Sequence, residues 1–257
     1  MKIAFFDVDG TLVSFNTHCI PESAISALDK LRSEGVEIVI ATGRAASRIP
    51  HISMIPYSAI IGLNGSECVM RDGTVVKRHY ISQELLKKAI ELGDNYDFAI
   101  AAKVEEGFVV DKITPRVLEM SDKIGAPLPK VVNLSCLNSS EQIGQLCFFT
   151  DIETEKNIMS SLPGLSASRW CDIFADINIT GIDKGTAIQE YAEFRGVNMK
   201  DTIAFGDGEN DIPMILKAGI GVAMGNASSK VKEFADYTTD GIDYDGIANA
   251  LEHFGLI

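Results

Sequence analysis

A chain of 257 residues, 46% of them hydrophobic, can bury a sizeable core as one large domain or two modest ones. Its formal charge of −13 argues against nucleic acid and anionic membranes, which both need a basic face, so an anionic ligand would need a metal or a few placed Lys and Arg. No apolar run approaches the roughly 18 residues of a membrane span, no signal-peptide pattern is visible, and five cysteines without a CxxC pair fit free thiols in a reducing, cytoplasmic compartment.

Lys2 to Phe6 reads as a short buried strand that stops at Asp7-Val8-Asp9-Gly10-Thr11. Two carboxylates at the end of a buried strand are costly to place without a compensating cation or phosphate chemistry. A plain turn, with Asp at its start and a left-handed Gly, is the alternative reading of the same five residues. Pro21-Glu22-Ser23 opens a helix striped by Ala24, Leu28 and Leu31 that ends before Gly35. Val36 to Ala41 is the next buried strand, ending at Thr42-Gly43-Arg44, and Ala45 onward can begin a helix that Pro50 ends. Tyr57 to Ile61 is a third strand, closing at Gly62-Leu63-Asn64-Gly65. This alternation predicts a parallel sheet with helical crossovers. Glu67–Met70 and Val75–Tyr80, joined through Asp72-Gly73, predict a β-hairpin.

Ser82 is a fair N-cap for the helix that follows. From there to about Ile177 the strands are closely spaced and look antiparallel, with helices over Pro115–Ile124 and Glu153–Leu162. The parallel pattern resumes at Gly181. Asp183 to Arg195 is a helix, Asp201 to Phe205 a strand ending at Gly206-Asp207-Gly208, and Glu209 to Lys217 a helix. A strand over Gly219–Ala223 and helices over Ser228–Phe234 and Asp243–Phe254 finish the chain. Residues 1–80 and 181–257 are therefore expected to share one Rossmann-like α/β core, interrupted by an α+β segment at 81–180.

Four polar clusters fall at the carboxyl ends of the predicted parallel strands, or at a helix start facing them: Asp7/Asp9, Thr42-Gly43-Arg44, Lys184, and Asp207 with Asn210 and Asp211. Open α/β sheets bind ligands at that edge. Carboxylates, a hydroxyl and an ammonium together suit phosphoryl transfer through an aspartyl-phosphate, and Mg²⁺ takes such oxygen ligands. Individually, Thr42 could be only an N-cap and Asp211 only a structural partner of a lysine. Arg44 and Arg48 would share a helix face, solvated or turned to substrate. Asn64 could reach substrate or merely be the left-handed residue of Asn-Gly. Trp170 and Phe174 read as core residues rather than sugar-stacking groups.

These four motifs, in this order, resemble motifs I to IV of the haloacid dehalogenase-like (HAD) phosphatases. The insertion, and the stretch Gly221-Val222-Ala223-Met224-Gly225-Asn226-Ala227, look like the Cof-type, class IIB branch with its C2B-type cap. The resemblance implies a Mg²⁺-dependent phosphatase of small phosphorylated metabolites, sugar phosphates among them, working through an aspartyl-phosphate. It implies Asp7 as nucleophile and metal ligand, and Asp9 as acid and base lending its backbone carbonyl to the metal. Asp207 would be a further ligand, with Asp211 supporting the metal shell or orienting Lys184. Thr42, Gly43, Lys184 and Asn210 would hold phosphate. The cap, with Asn64 or Arg48, would read the leaving group. The alternatives are a phosphohexomutase of the same fold and a non-catalytic phosphate-binding regulatory module. A mutase must hold a second phosphate, and between Ser82 and Ile177 the arginines are Arg116 and Arg169 alone, in an acidic segment.

Overall fold

In the computed structural model the described residues are 1–104, 107–124, 127–137, 143–169 and 171–257. The chain divides into two units, Met1–Arg78 with Ile182–Ile257, and His79–Gly181.

The first unit opens with β1 (Ile3–Phe6), α1 (Glu22–Ser33), β2 (Glu37–Ala41) and β3 (Ala59–Gly62), then the hairpin β4 (Glu67–Met70) and β5 (Val75–Arg78). The second unit follows with α2 (Gln83–Asn95), β6 (Ala99–Val104), β7 (Gly107–Val110), α3 (Pro115–Ile124), β8 (Lys130–Val131) and β9 (Gln145–Phe149). It ends with α4 (Ile152–Met159), β10 (Leu165–Ser168) and β11 (Ala175–Ile179). The chain returns to the first unit as α5 (Lys184–Phe194), β12 (Thr202–Gly206), α6 (Ile212–Lys217) and β13 (Ile220–Ala223), then α7 (Ser229–Lys232), β14 (Tyr237–Thr238) and α8 (Gly246–His253).

The eight-stranded sheet of the first unit runs β14-β13-β12-β1-β2-β3-β4-β5. Its first six strands are parallel, and β4 and β5 extend it antiparallel. Alternation along each strand feeds two cores. Ala4, Phe6, Ile38, Ile40, Ile203 and Phe205 face the side that carries Ala24, Leu28 and Leu31 of α1 and Leu251 of α8. Ile3, Phe5, Val39, Ala41 and Ala204 face Ile188 and Tyr191 of α5. Strands buried on both faces read as continuous apolar runs, which is why these were visible in the sequence. From β1 the chain builds outward through β2 and β3 on one side, then returns through β12 and β13 on the other. β1 is thus the switch point of the sheet, where a crevice opens at the carboxyl ends.

The second unit has a six-stranded sheet in the order β10-β11-β9-β6-β7-β8. Its pairings are antiparallel, as the spacing of the strands predicts, except β7 with β8, which is parallel. Phe174 is buried with Phe149 and Val117, as a core residue; Trp170 lies outside the described residues.

Three further expectations are revised. The helix expected from Ala45 up to Pro50 is a single three-ten turn, Ala46–Arg48, and a second such turn, Ile52–Met54, follows the proline. Pro50 removes a donor between them, and neither stretch is long enough to propagate a helix. Arg44 precedes the first turn, so it shares no helix face with Arg48, whose side chain is outside what the structure describes. The helix expected over Glu209–Lys217 is a three-ten turn, Glu209–Asp211, and then α6. The two-residue strand β14 was too short to read in the sequence.

Candidate active site

Asp7 follows β1 directly, and its amide donates to the Phe205 carbonyl at 3.0 Å, so the ladder with β12 runs up to the site. The carboxylate is buried, and its Oδ1 meets Lys184 Nζ at 2.5 Å. Lys184 opens α5, whose N-cap Asp183 accepts from the Thr186 amide at 2.7 Å. Its ammonium is wholly buried and donates also to Asp211 Oδ1 at 2.5 Å. Asp211 Oδ2 accepts from the amides of Asp207, at 3.0 Å, and Gly208, at 2.8 Å. Asp211 is thus committed through both oxygens, one fixing the lysine and the other the loop after β12. Gly206 makes room for this: a Cβ there would lie 2.4 Å from the Asp211 Cβ.

Asp7, Asp207 and Asp211 each offer an oxygen within 4.8 Å of the others. Three carboxylates against one ammonium leave a formal charge of −3 + 1 = −2 in a largely buried cluster. Burial pushes the Asp7 carboxyl well above the usual carboxylate range, and the Asp211 charge adds to that while Lys184 opposes it. Burial, then Asp211, pushes Asp207 up to about 7, against the hydrogen bond from Thr11. Burial alone would lower the Lys184 pKa, but the Asp211 and Asp7 charges outweigh it and hold the ammonium above its ordinary value. A hard divalent cation fits this all-oxygen, electron-rich donor set.

The Lys184 ammonium therefore holds the cluster together. Lys184→Met is expected to destabilise the protein by about 3–5 kcal/mol, because it leaves like charges buried without their partner. Urea denaturation in EDTA measures this. A loss below about 1 kcal/mol would show that the carboxylates do not depend on the lysine.

The loops after β2 and β3 are stitched together. The Thr42 amide donates to the Ile61 carbonyl at 2.8 Å, Leu63 N to Arg44 O at 2.9 Å, and Asn64 N to Thr42 O at 3.0 Å. Leu63 and Asn64 both sit in the left-handed region, with φ of 52° and 53°. Asn tolerates this, but for Leu it costs roughly 1–2 kcal/mol, which the stitching must offset. Asn64 is 7% exposed, packs against Gly43, and accepts from Asn210 Nδ2 at 3.0 Å. It therefore braces two other residues of the site. Thr42 is buried, and its Oγ1 accepts from the Arg44 amide at 3.1 Å. The Arg44 side chain reaches Asp9: Nε to Oδ2 at 2.7 Å and Nη2 to Oδ1 at 2.8 Å. Those bonds hold the guanidinium pKa above its ordinary value.

Two residues were quoted in sequence motifs without a role of their own. Buried Thr11 donates to Asp207 Oδ1 at 2.8 Å. Asn226 donates to the Gly10 carbonyl at 2.8 Å and accepts from the Ile242 amide at 3.0 Å, clipping the Asp7–Thr11 turn to the carboxyl-terminal loops. Gly10 itself has φ of 89°, and a Cβ there would lie 2.2 Å from Asp207 Oδ2. Only glycine suits both the turn and the approach.

Comparison with known proteins adds an independent line. The family model for haloacid dehalogenase-like hydrolases matches residues 4–251. The chain is 31% identical to a protein of Bacillus subtilis strain 168 named putative phosphatase YkrA, over 100% of this chain and 98% of that one. Among solved structures it is similar to BT1666, a HAD-superfamily phosphatase from Bacteroides thetaiotaomicron, at 46% identity and a TM-score of 0.97, covering 100% and 96% of the two chains. It is also similar to the HAD subclass IIB sugar phosphatase BT4131, at 36% identity and a TM-score of 0.89, covering 100% of each chain.

Proposed function

The chain belongs to the haloacid dehalogenase-like hydrolases, in the Cof-type, class IIB branch, and is a phosphoric monoester hydrolase; from that premise we propose a Mg²⁺-dependent phosphatase that forms an aspartyl-phosphate on Asp7 and acts on sugar phosphates. The observation that carries the mechanism is the buried Asp7 carboxylate at the switch-point strand, fixed by Lys184 and flanked by Asp207 and Asp211. The sugar-phosphate reading is supported by the likeness to BT4131.

In this reading Asp7 attacks phosphorus while the ester oxygen departs, and Asp9 delivers a proton to that oxygen. Asp9 then takes a proton from water as the water oxygen attacks the phosphorus of the aspartyl-phosphate. Inorganic phosphate leaves, Asp7 is regenerated and Asp9 carries a proton again. Thr42 and the Gly43 amide donate to phosphate oxygens, Lys184 neutralises charge on the nucleophile and phosphoryl group, and Asn210, braced by Asn64, contacts phosphate. Asp7, Asp207 and the Asp9 carbonyl would hold Mg²⁺; Asp211, committed through both oxygens, supports that shell and orients Lys184. Bound there, the ion would offset the excess negative charge and polarise the phosphoryl group.

Metal binding should register in stability. Asp207 holds its proton to about pH 7 in the folded state but ionises near 4 when unfolded. The folded state then binds more protons between those values, so stability in EDTA should fall as pH rises from about 4 to about 7. Mg²⁺ should therefore raise Tm by several degrees more at pH 7.5 than at pH 5, as read by calorimetry. An equal rise at both pH values would remove Asp207 from the metal site.

Hydrolysis is favoured over isomerisation by the state of both arginines and two lysines in residues 79–181. Arg116 donates to the carbonyls of Asp172, at 2.8 Å, and Ile173, at 3.3 Å. Arg169 pairs with Glu155 and donates to the Thr150 carbonyl at 2.8 Å. Lys103 bonds to Gln145 and lies 3.4 Å from Asp176, and Lys112 lies 3.5 Å from Asp97. These groups are engaged within their own unit rather than arrayed for a second phosphate. The test follows p-nitrophenyl phosphate with and without Mg²⁺, and glucose 1-phosphate with a trace of the bisphosphate. Mg²⁺-dependent phosphate release without glucose 6-phosphate is expected. Bisphosphate-dependent formation of the 6-phosphate would overturn the phosphatase reading in favour of a mutase, and Mg²⁺-independent turnover would overturn the metal. A cytoplasmic location is part of the same proposal; it is supported by five free thiols.

A further inference from the structure

Asp9 must do two things in the proposed reaction, and its partner in the structure hinders both. Arg44 grips the carboxylate through a parallel two-point contact, Nε to Oδ2 at 2.7 Å and Nη2 to Oδ1 at 2.8 Å. A guanidinium fork of this kind occupies both carboxylate oxygens at once. Neither oxygen is then placed to meet a leaving group or a water. Both groups are nonetheless accessible, at 45% and 36% side-chain exposure. A half-exposed pair shifts an equilibrium by only about fivefold or less, so a modest replacement opens it. The Arg44 backbone, by contrast, is pinned: its amide donates to Thr42 Oγ1 and its carbonyl accepts from Leu63 N. The side chain can therefore change partner while its root stays beside the proposed phosphate site.

We infer that Arg44 is a substrate-operated latch on Asp9, closed in the free protein and opened when hydroxyls of a polyol leaving group replace the Asp9 carboxylate as acceptors for the guanidinium. The inference rests on the reading of Asp9 as acid and base. Opening the latch makes no covalent change; it only frees the carboxyl for the proton transfers already described. A ligand shifts such an equilibrium by its differential affinity for the two states, and only a leaving group bearing acceptors has that difference. Polyol recognition is thereby coupled to release of the acid, and an alkyl phosphate without hydroxyls is turned over with the latch mostly closed.

The experiment compares glucose 6-phosphate with n-propyl phosphate, two primary alkyl esters that differ in the hydroxyls offered. Arg44→Gln removes the latch, and Arg44→Lys keeps charge without the fork. Asp9→Asn and the Asp9→Asn/Arg44→Gln double variant serve as controls, and thermal melts confirm folding. With Arg44→Gln, kcat/KM for glucose 6-phosphate should fall at least about tenfold, through lost hydrogen bonds to the leaving group. For n-propyl phosphate it should rise about two- to fivefold, because Asp9 is no longer held. Arg44→Lys should lie between, and the gain on n-propyl phosphate should vanish in the double variant. Equal slowing of both esters by Arg44→Gln would overturn the latch and make Arg44 a plain positioning residue, with Asp9 still the acid. If Asp9→Asn itself slows neither ester, the role of Asp9 fails, and the latch fails with it.

Discussion

Asp7→Asn is expected to abolish turnover in a protein that still folds. The amide oxygen is a poor nucleophile and a weaker ligand for a hard cation, so the proposed first covalent step would have no substitute. Loss of a catalytic nucleophile costs roughly 10⁴-fold or more. The fold should tolerate the change, because the Asp7 carboxylate sits in a cluster with an excess of negative charge. A neutral isostere relieves repulsion from Asp211 and Asp207, although it weakens the bond to Lys184. Steady-state hydrolysis of p-nitrophenyl phosphate, paired with a thermal melt in EDTA, measures both halves. Near-wild-type turnover by the purified variant would end the aspartyl-phosphate proposal. A variant that is inactive because it is unfolded would instead show that Asp7 is needed structurally.

Asp9→Asn is expected to give the second large effect, with selectivity as its signature. General acid–base help is typically ~10²–10⁴-fold, and it matters most when the leaving oxygen is basic. A sugar phosphate should lose most of that factor in the phosphoryl-transfer step. p-Nitrophenyl phosphate, whose phenolate leaves without a proton, should lose far less in the same step. Pre-steady-state kinetics are required, because hydrolysis of the proposed aspartyl-phosphate would also depend on Asp9 and would mask the difference at steady state. Equal losses for the two esters in the isolated step would remove Asp9 as the acid.

The contrast between what could and could not be read in the sequence follows from the range of the interactions. The strands around Asp7, Thr42 and Asp207 were legible because burial on both faces writes an unbroken apolar run, and polar residues at the ends of such runs stand out. The resemblance to a known family then supplied roles for them. Partnerships between loops were not legible. Nothing in the sequence links Arg44 to Asp9, or Asn64 to Asn210, because each pair meets only after separate strands have been laid side by side. Asn64 takes the left-handed turn conformation that Asn-Gly allows, and its bond to Asn210 also braces the site. Residues 45–49 misled for a local reason: a few helix-compatible residues before a proline resemble a helix start, but a single turn satisfies them.

The position of β1 in the sheet has a consequence for how the molecule is made. β1 is the earliest strand in the sequence, yet one of its two neighbours is β12, with Ile3 beside Thr202. At ~5–20 residues per second, the 202 − 3 = 199 residues between them take a ribosome about 10–40 s to deliver. For that interval one edge of β1 has no native partner and presents the unpaired backbone groups that can pair with other chains. A similar delay, over 177 residues, separates Asp7 from the Lys184 ammonium. A product that stops short of Lys184 carries Asp7, Asp9 and Thr42 but cannot assemble the charge cluster around them. Phosphatase activity is therefore expected to be a late and all-or-none outcome of translation, and truncated chains should be silent rather than partially active.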